Sequence, residues 1–229
     1  IFCFKEMPAI EMNKKSVLYF NDIIENNKFK TEKRINIIHN IKEILNEKNY
    51  EKKSNSVKKL RKAKNFIEKN KTKIRLEEIY KNNLHIANEL FEKWKIFKQE
   101  KNKILTSTFP SYYLALKRLI NINDIIFKKL IYYEDKPYGF AVYDISQKNK
   151  AFLISYITLY FDDEFPKNLS NHLNIYLYYV LFNKGIEKVN TGTKVNKKLE
   201  FFKKQFLSEE YLHTVIKIEK VKKQGLEKW

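Results

Sequence analysis

A chain of 229 residues that is 43% hydrophobic and 15% aromatic carries enough apolar material for a core, which excludes global disorder. Its formal charge of +19 attracts polyanions; the same excess of lysine, with abundant asparagine and isoleucine, also marks an A+T-rich genome, so only some of the charge is read as functional. The single cysteine, Cys3, excludes an internal disulfide and a cysteine-based zinc site, the four histidines lack metal-ligand spacing, and no apolar run is long enough to span a bilayer.

The start, Ile1-Phe2-Cys3-Phe4-Lys5-Glu6, lacks the basic-then-apolar order of a secretory leader, so the cytoplasm is the expected compartment, and an opening isoleucine reads as a trimmed N-terminus. Ile35, Ile38, Ile41 and Leu45 recur at helical spacing, which predicts a helix over 31–48 capped by Thr31, within a helical N-terminal piece, residues 1–51. A second helix is predicted over 57–70, with Val57, Leu60, Ala63 and Ile67 on one face. From Lys52 to Arg75 there are eleven Lys/Arg and one acid, Glu68. A long amphipathic helix follows, through Tyr80, Leu84, Leu90, Trp94 and Phe97. Phe109-Pro110-Ser111 opens another helix, to about Ile122.

From Ile125 the period changes. Strands are predicted at Ile125–Tyr133, Phe140–Ile145 and Ala151–Phe161, with turns at Asp135–Gly139 and Gln147–Lys150. The third strand is apolar on both faces and so belongs in the middle of a sheet. Asn168–Lys184 reads as a helix stopped by Gly185. A short strand, Ile186–Asn190, a helix, Val195–Phe206, and a last strand, Tyr211–Glu219, complete a domain over 52–219. Lys220 to Trp229 is a charged tail.

This β-β-β-α-β-α-β order resembles the GCN5-related N-acetyltransferase fold, an α+β mixed sheet flanked by helices. "YYEDKPYGFAVYDI" resembles the second and third strands of that fold, and "NKGIEKVNTGT" followed by "LEFFKKQF" resembles an Asn-x-Gly turn leading into its helix. With "VKKLRKAKNFIEK" and "ELFEKWKIF" upstream, the chain is similar to bacterial proteins related to the C-terminal domain of phosphatidylglycerol lysyltransferase, and to the Fem-type aminoacyltransferases. The resemblance implies transfer of an acyl or aminoacyl group to an amine or hydroxyl. Users of acetyl-coenzyme A place a glycine-rich loop after the central strand, where backbone N–H groups cradle a pyrophosphate. Here "DDEFPKNLSNHL" has acids and no glycine. That suits an aminoacyl-tRNA donor; an acetyl-coenzyme A enzyme with an atypical loop at Pro166 to Ser170 is the alternative, and a non-catalytic RNA-binding module on the same fold is another.

Such transfer needs an amine that loses its proton, a stabilised oxyanion and a donor held in line. The fold implies oxyanion-binding backbone along Ser155 to Tyr160. Asn190 and Gly192 are expected to open the donor site, with Thr191 between them; the plain alternative is a turn with positive φ at Gly192 and Asn190 bonding its own backbone. Asn168 and Ser170 lie in the expected phosphate loop. Lys203 can meet a carboxylate or phosphate, or snorkel from a core helix. Tyr156 is a candidate general acid or a core tyrosine. Asp144, Glu134 and Glu164 are candidate bases, with nothing in the sequence to choose between them. Lys58, Arg61, Lys62, Lys64 and Lys69 form a basic helix suited to phosphate contacts with tRNA or another polyanion, to a membrane surface, or simply to solvent.

Overall fold

The computed structural model describes residues 30–49, 55–102, 121, 124–193 and 208–217. In chain order these form β1 (Lys30–Asn40), α1 (Ile41–Leu45), α2 (Asn55–Lys69), β2 (Ile74–Glu78), α3 (Leu84–Asn102), β3 (Ile126–Tyr133), β4 (Lys136–Asp144), β5 (Lys150–Thr158), α4 (Leu169–Phe182), β6 (Lys188–Thr193) and β7 (Glu209–Lys217). The strands make one seven-stranded sheet in the order β2-β3-β4-β5-β6-β1-β7. β2 to β5 run antiparallel to their neighbours, β5 and β6 are parallel across the α4 crossover, and β1 is antiparallel to both β6 and β7.

The helix expected over 31–48 is instead strand β1 followed by the single turn of α1. The spacing of Ile35, Ile38, Ile41 and Leu45 fits a helix, but Ile35, Ile37 and Ile38 are β-branched and favour a pleated surface. Tertiary pairing decides the matter. β1 lies between β6 and β7, and its consecutive residues Asn36 and Ile37 are both buried, as a strand covered on both faces requires. Within the piece expected over residues 1–51, the described residues 30–40 are thus built into the sheet as a strand.

β3 and β4 are buried along nearly their whole length, so both faces of the sheet are covered. α2 contacts α4, as does α1, whereas α3 contacts β4 and β5. In α2 the buried side chains are Val57, Leu60 and Ala63, at the spacing of one helical face. β2 is a short edge strand that periodicity missed, because Ile74 is its only fully buried residue.

The turn expected at Asp135–Gly139 is tighter than that. Glu134 and Asp135, at φ 49° and 61°, make a two-residue hairpin of the kind that matches strand twist, and Lys136 already belongs to β4. Gly139 serves another purpose: a Cβ there would lie 2.3 Å from the Ile157 carbonyl oxygen, so its glycine permits close approach of β4 and β5. Gly185 (φ 83°) ends α4 as expected, with Ile186 N–H donating to Leu181 O at 3.1 Å. The helices expected over 111–122 and 195–206 lie, apart from Asn121, outside the described residues.

Candidate active site between two diverging strands

β5 and β6 pair over three positions only, Lys150–Phe152 against Lys188–Asn190. β5 then continues to Thr158 along β4, while β6 turns towards β1. Each strand carries an extra residue near the point of divergence. In β5, Leu153 faces Tyr143 and Ser155 faces Val142, which leaves Ile154 over. In β6, Thr191 and Gly192 together oppose Ile37 of β1. Bulges of this kind bend a strand and sharpen its twist, so the two together open a wedge in the middle of the sheet.

The β6 bulge is held from three directions. Gly192 adopts φ 78°, a conformation that glycine takes at little cost. Its N–H donates to Asn190 Oδ1 at 2.8 Å. The buried Thr191 hydroxyl donates to Ile37 O at 2.8 Å. Asn190 and Gly192 therefore sit within β6, beyond the strand end expected at Asn190, and Asn190 does bond its own backbone. That bond uses only the amide oxygen.

Tyr156 lies four residues along β5 from Phe152, the partner of Asn190, or about 13 Å by strand rise, and there it meets Ser170 at the start of α4, beside Asn168. The Tyr156 hydroxyl donates to the Ser170 carbonyl at 2.6 Å, and Thr158 Oγ1 donates to Ser170 Oγ at 3.0 Å. Burial pushes the Tyr156 phenol well up and raises Tyr138, in the same cluster, to about 12. A phenol so placed is a weak acid at neutral pH. The cluster ties the first turn of α4 to the central strand. Asn168 occupies the left-handed region at φ 65° and does not cap the helix with its side chain. In the preceding loop, Glu164 pairs with Lys136 at 2.9 Å, which holds its carboxyl below the usual range, and Asp162 accepts the Glu164 N–H.

The structure separates the three candidate acids. Glu134 is paired with Lys73 and Glu164 with Lys136. Asp144 accepts the Ser146 N–H at 2.8 Å and lines a cavity of about 260 Å³ together with Gln147, Lys150, Phe152, Asn190 and Tyr211. The cavity lies at the paired end of β5 and β6, below the wedge. Sequence reading placed Asp144 at a strand end but had no signal that joined it to Asn190.

Within the basic helix, the five cations divide. Arg61 and Lys64 both bond Glu47, at 2.9 and 3.1 Å, and lower its pKa. Lys58, Lys62 and Lys69 are exposed at i, i+4 and i+11, a common face. Lys203 lies outside the described residues. His172 on α4 has its ring 4.5 Å from that of Phe66 and its Nδ1 buried with no partner among the described residues. His39 of β1 bonds the Tyr178 hydroxyl inside the core, a contact unforeseen from sequence.

The fold is a mixed α+β sheet flanked by helices, as the resemblance to the GCN5-related N-acetyltransferases leads one to expect. No protein-family model and no curated protein matches the chain. Solved structures match it by fold. FemX superposes with a TM-score of 0.56 at 14% identity, over 90% of this chain and 68% of its own. A conserved protein of unknown function from Bacteroides thetaiotaomicron gives 0.56 at 11% identity, over 92% and 78%. The C-terminal domain of a putative lysylphosphatidylglycerol synthetase from Agrobacterium fabrum gives 0.51 at 10%, over 86% of this chain and 64% of that one. Among the described residues no helix is long and apolar enough to cross a membrane.

Proposed function

We propose that this protein transfers an acyl or aminoacyl group to an amine or hydroxyl, with the donor lying in the wedge between β5 and β6. The observation that carries the reading is the pair of bulges, which separates the parallel strands β5 and β6 at the centre of the sheet. Beyond Phe152, no strand among the described residues pairs with the β6-facing edge of β5. Backbone N–H groups on that edge, between Leu153 and Thr158, are fixed donors for a carbonyl oxygen that gains charge as the acceptor attacks. The new bond is C–N or C–O; the donor's ester or thioester bond breaks, and the acceptor's proton leaves with it. Asn190 and Thr191 hold Gly192, and with it the shape of the wedge. The Tyr156–Ser170 cluster holds its far wall.

An aminoacyl-tRNA is the donor we favour. The loop before α4 carries acids where a pyrophosphate would sit, and the likeness to FemX and to a lysylphosphatidylglycerol synthetase domain supports an aminoacyl group. On this reading Lys58, Lys62 and Lys69 meet tRNA phosphates. Acetyl-coenzyme A through an atypical loop at Asn168 and Ser170 is the competing donor.

Calorimetric titration with acetyl-coenzyme A, then transfer assays with labelled aminoacyl-tRNA, decide between them. Asn190→Ala removes the acceptor of the Gly192 N–H and is expected to lower kcat/KM about tenfold, the equivalent of roughly 1.4 kcal/mol, at a nearly unchanged Tm. Unaltered turnover in both Asn190→Ala and Gly192→Ala would sink the wedge assignment.

A further inference from the structure

We propose that the cavity at the paired end of β5 and β6 binds a small organic ammonium compound with an apolar stem, and that Asp144 is its counter-ion. Such binding does not require transfer chemistry and would occur in a protein with no turnover at all.

The lining charges do not all need a ligand. Lys188 and Glu209 face each other at 3.4 Å and offset one another. Lys150 has a partner of its own. Asp144 differs: its one hydrogen bond among the described residues comes from the Ser146 N–H to Oδ1, and no cation there pairs with it. Oδ2 is left able to accept from a ligand, and a carboxylate hydrogen bond to a cation is among the stronger ones. Beside it, Ile38, Ala151 and Phe152 supply apolar wall. A volume of about 260 Å³ suits an aliphatic stem of a few carbons. The Asn190 amide nitrogen has no bond to the Gly192 bulge, which takes only the oxygen, and remains a donor for a polar atom on the stem.

A protein of net charge +19 draws anions and repels amines as a whole. Preference for a cation can therefore arise only locally, and at an ionic strength near 0.15 M the distant lysines are screened beyond about 8 Å.

The test is an NMR titration of the ¹⁵N-labelled full chain at fixed ionic strength with n-pentylamine hydrochloride, and separately with sodium pentanoate, of nearly the same size. Pentylammonium is expected to shift the amides of Asp144, Phe152 and Asn190 saturably, and to bind at least tenfold more tightly than pentanoate. Asp144→Asn keeps an oxygen for the Ser146 N–H and removes the charge; it should weaken pentylammonium at least tenfold and leave pentanoate no weaker. Equal affinity for the two probes, shifts confined to other residues, absence of saturable binding, or full affinity in Asp144→Asn would each overturn the proposal. The comparison of the two probes on the unaltered chain needs no variant to fold.

Discussion

His172 shows how a single side chain sets a pH limit. Burial, with the nearby Lys62 charge, lowers its pKa below the ordinary 6.5, so the folded chain holds it neutral. The unfolded chain takes up the proton at higher pH than the folded one does. Stability from this residue is thus complete above about pH 6.5 and is lost as the pH falls towards the depressed value, with a slope of up to about 1.4 kcal/mol per pH unit. His172→Phe, which keeps an aromatic against Phe66, should flatten that acid limb in urea unfolding at pH 7.5 and 5.5; identical slopes would show that His172 is not the titrating group. Gly139 sets a steric limit. Its missing side chain is what lets Ile157 O approach, and Gly139→Ala should destabilise by about 1–3 kcal/mol, through a forced shift of two central strands. Gly139 was visible in the sequence, but as the end of a turn. That the glycine serves a backbone contact 18 residues further on could be seen only with β5 in place.

At the scale of elements, the stretch of chain that alternates turn chemistry with short apolar runs was legible: β3, β4, β5, α4 and β6 all lie near where the sequence puts them. β3, β4 and β5 pair with their neighbours in sequence, so there local pattern and tertiary structure agree. β1 was not legible, because isoleucines three and four apart satisfy a helix as well as a strand and its two partners come from the far end of the chain. The same reason hid the site. Which acid of Glu134, Asp144 and Glu164 escapes pairing depends on lysines delivered by the fold, Lys73 and Lys136. A direct prediction follows for β1. A chain that begins at Lys52, where the sequence reading starts the domain, lacks the strand between β6 and β7 and the His39–Tyr178 contact. It should show no cooperative melt by circular dichroism, whereas the full chain should melt cooperatively.

The whole molecule is a strongly charged body in which much of the local charge is already spoken for. Arg61 and Lys64 are engaged by Glu47, and Lys73, Lys129, Lys136 and Lys188 have carboxylate partners. The exposed face of α2 is different, and its lysines belong in any account of polyanion binding. Replacing Lys58, Lys62 and Lys69 together by glutamine should reduce the slope of log K against log salt for tRNA by about 2–3, near 0.7–0.9 for each phosphate no longer neutralised. An unchanged slope would put the tRNA on another face. Arg61→Gln should matter less, since its guanidinium is already used.

The position of β1 has a consequence in time. Its Ile37 carbonyl accepts from Thr191, 154 residues later. At ribosomal rates of about 5–20 residues per second, that partner emerges roughly 8–30 s after β1 does. For that interval a strand rich in isoleucine has neither of its neighbours, while β2 to β5 already have theirs in reach. Closing the sheet is then a long-loop event, which slows folding and leaves two unpaired edges open to other chains. Slow elongation lengthens that interval, so the growing chain is where this protein is most exposed to aggregation.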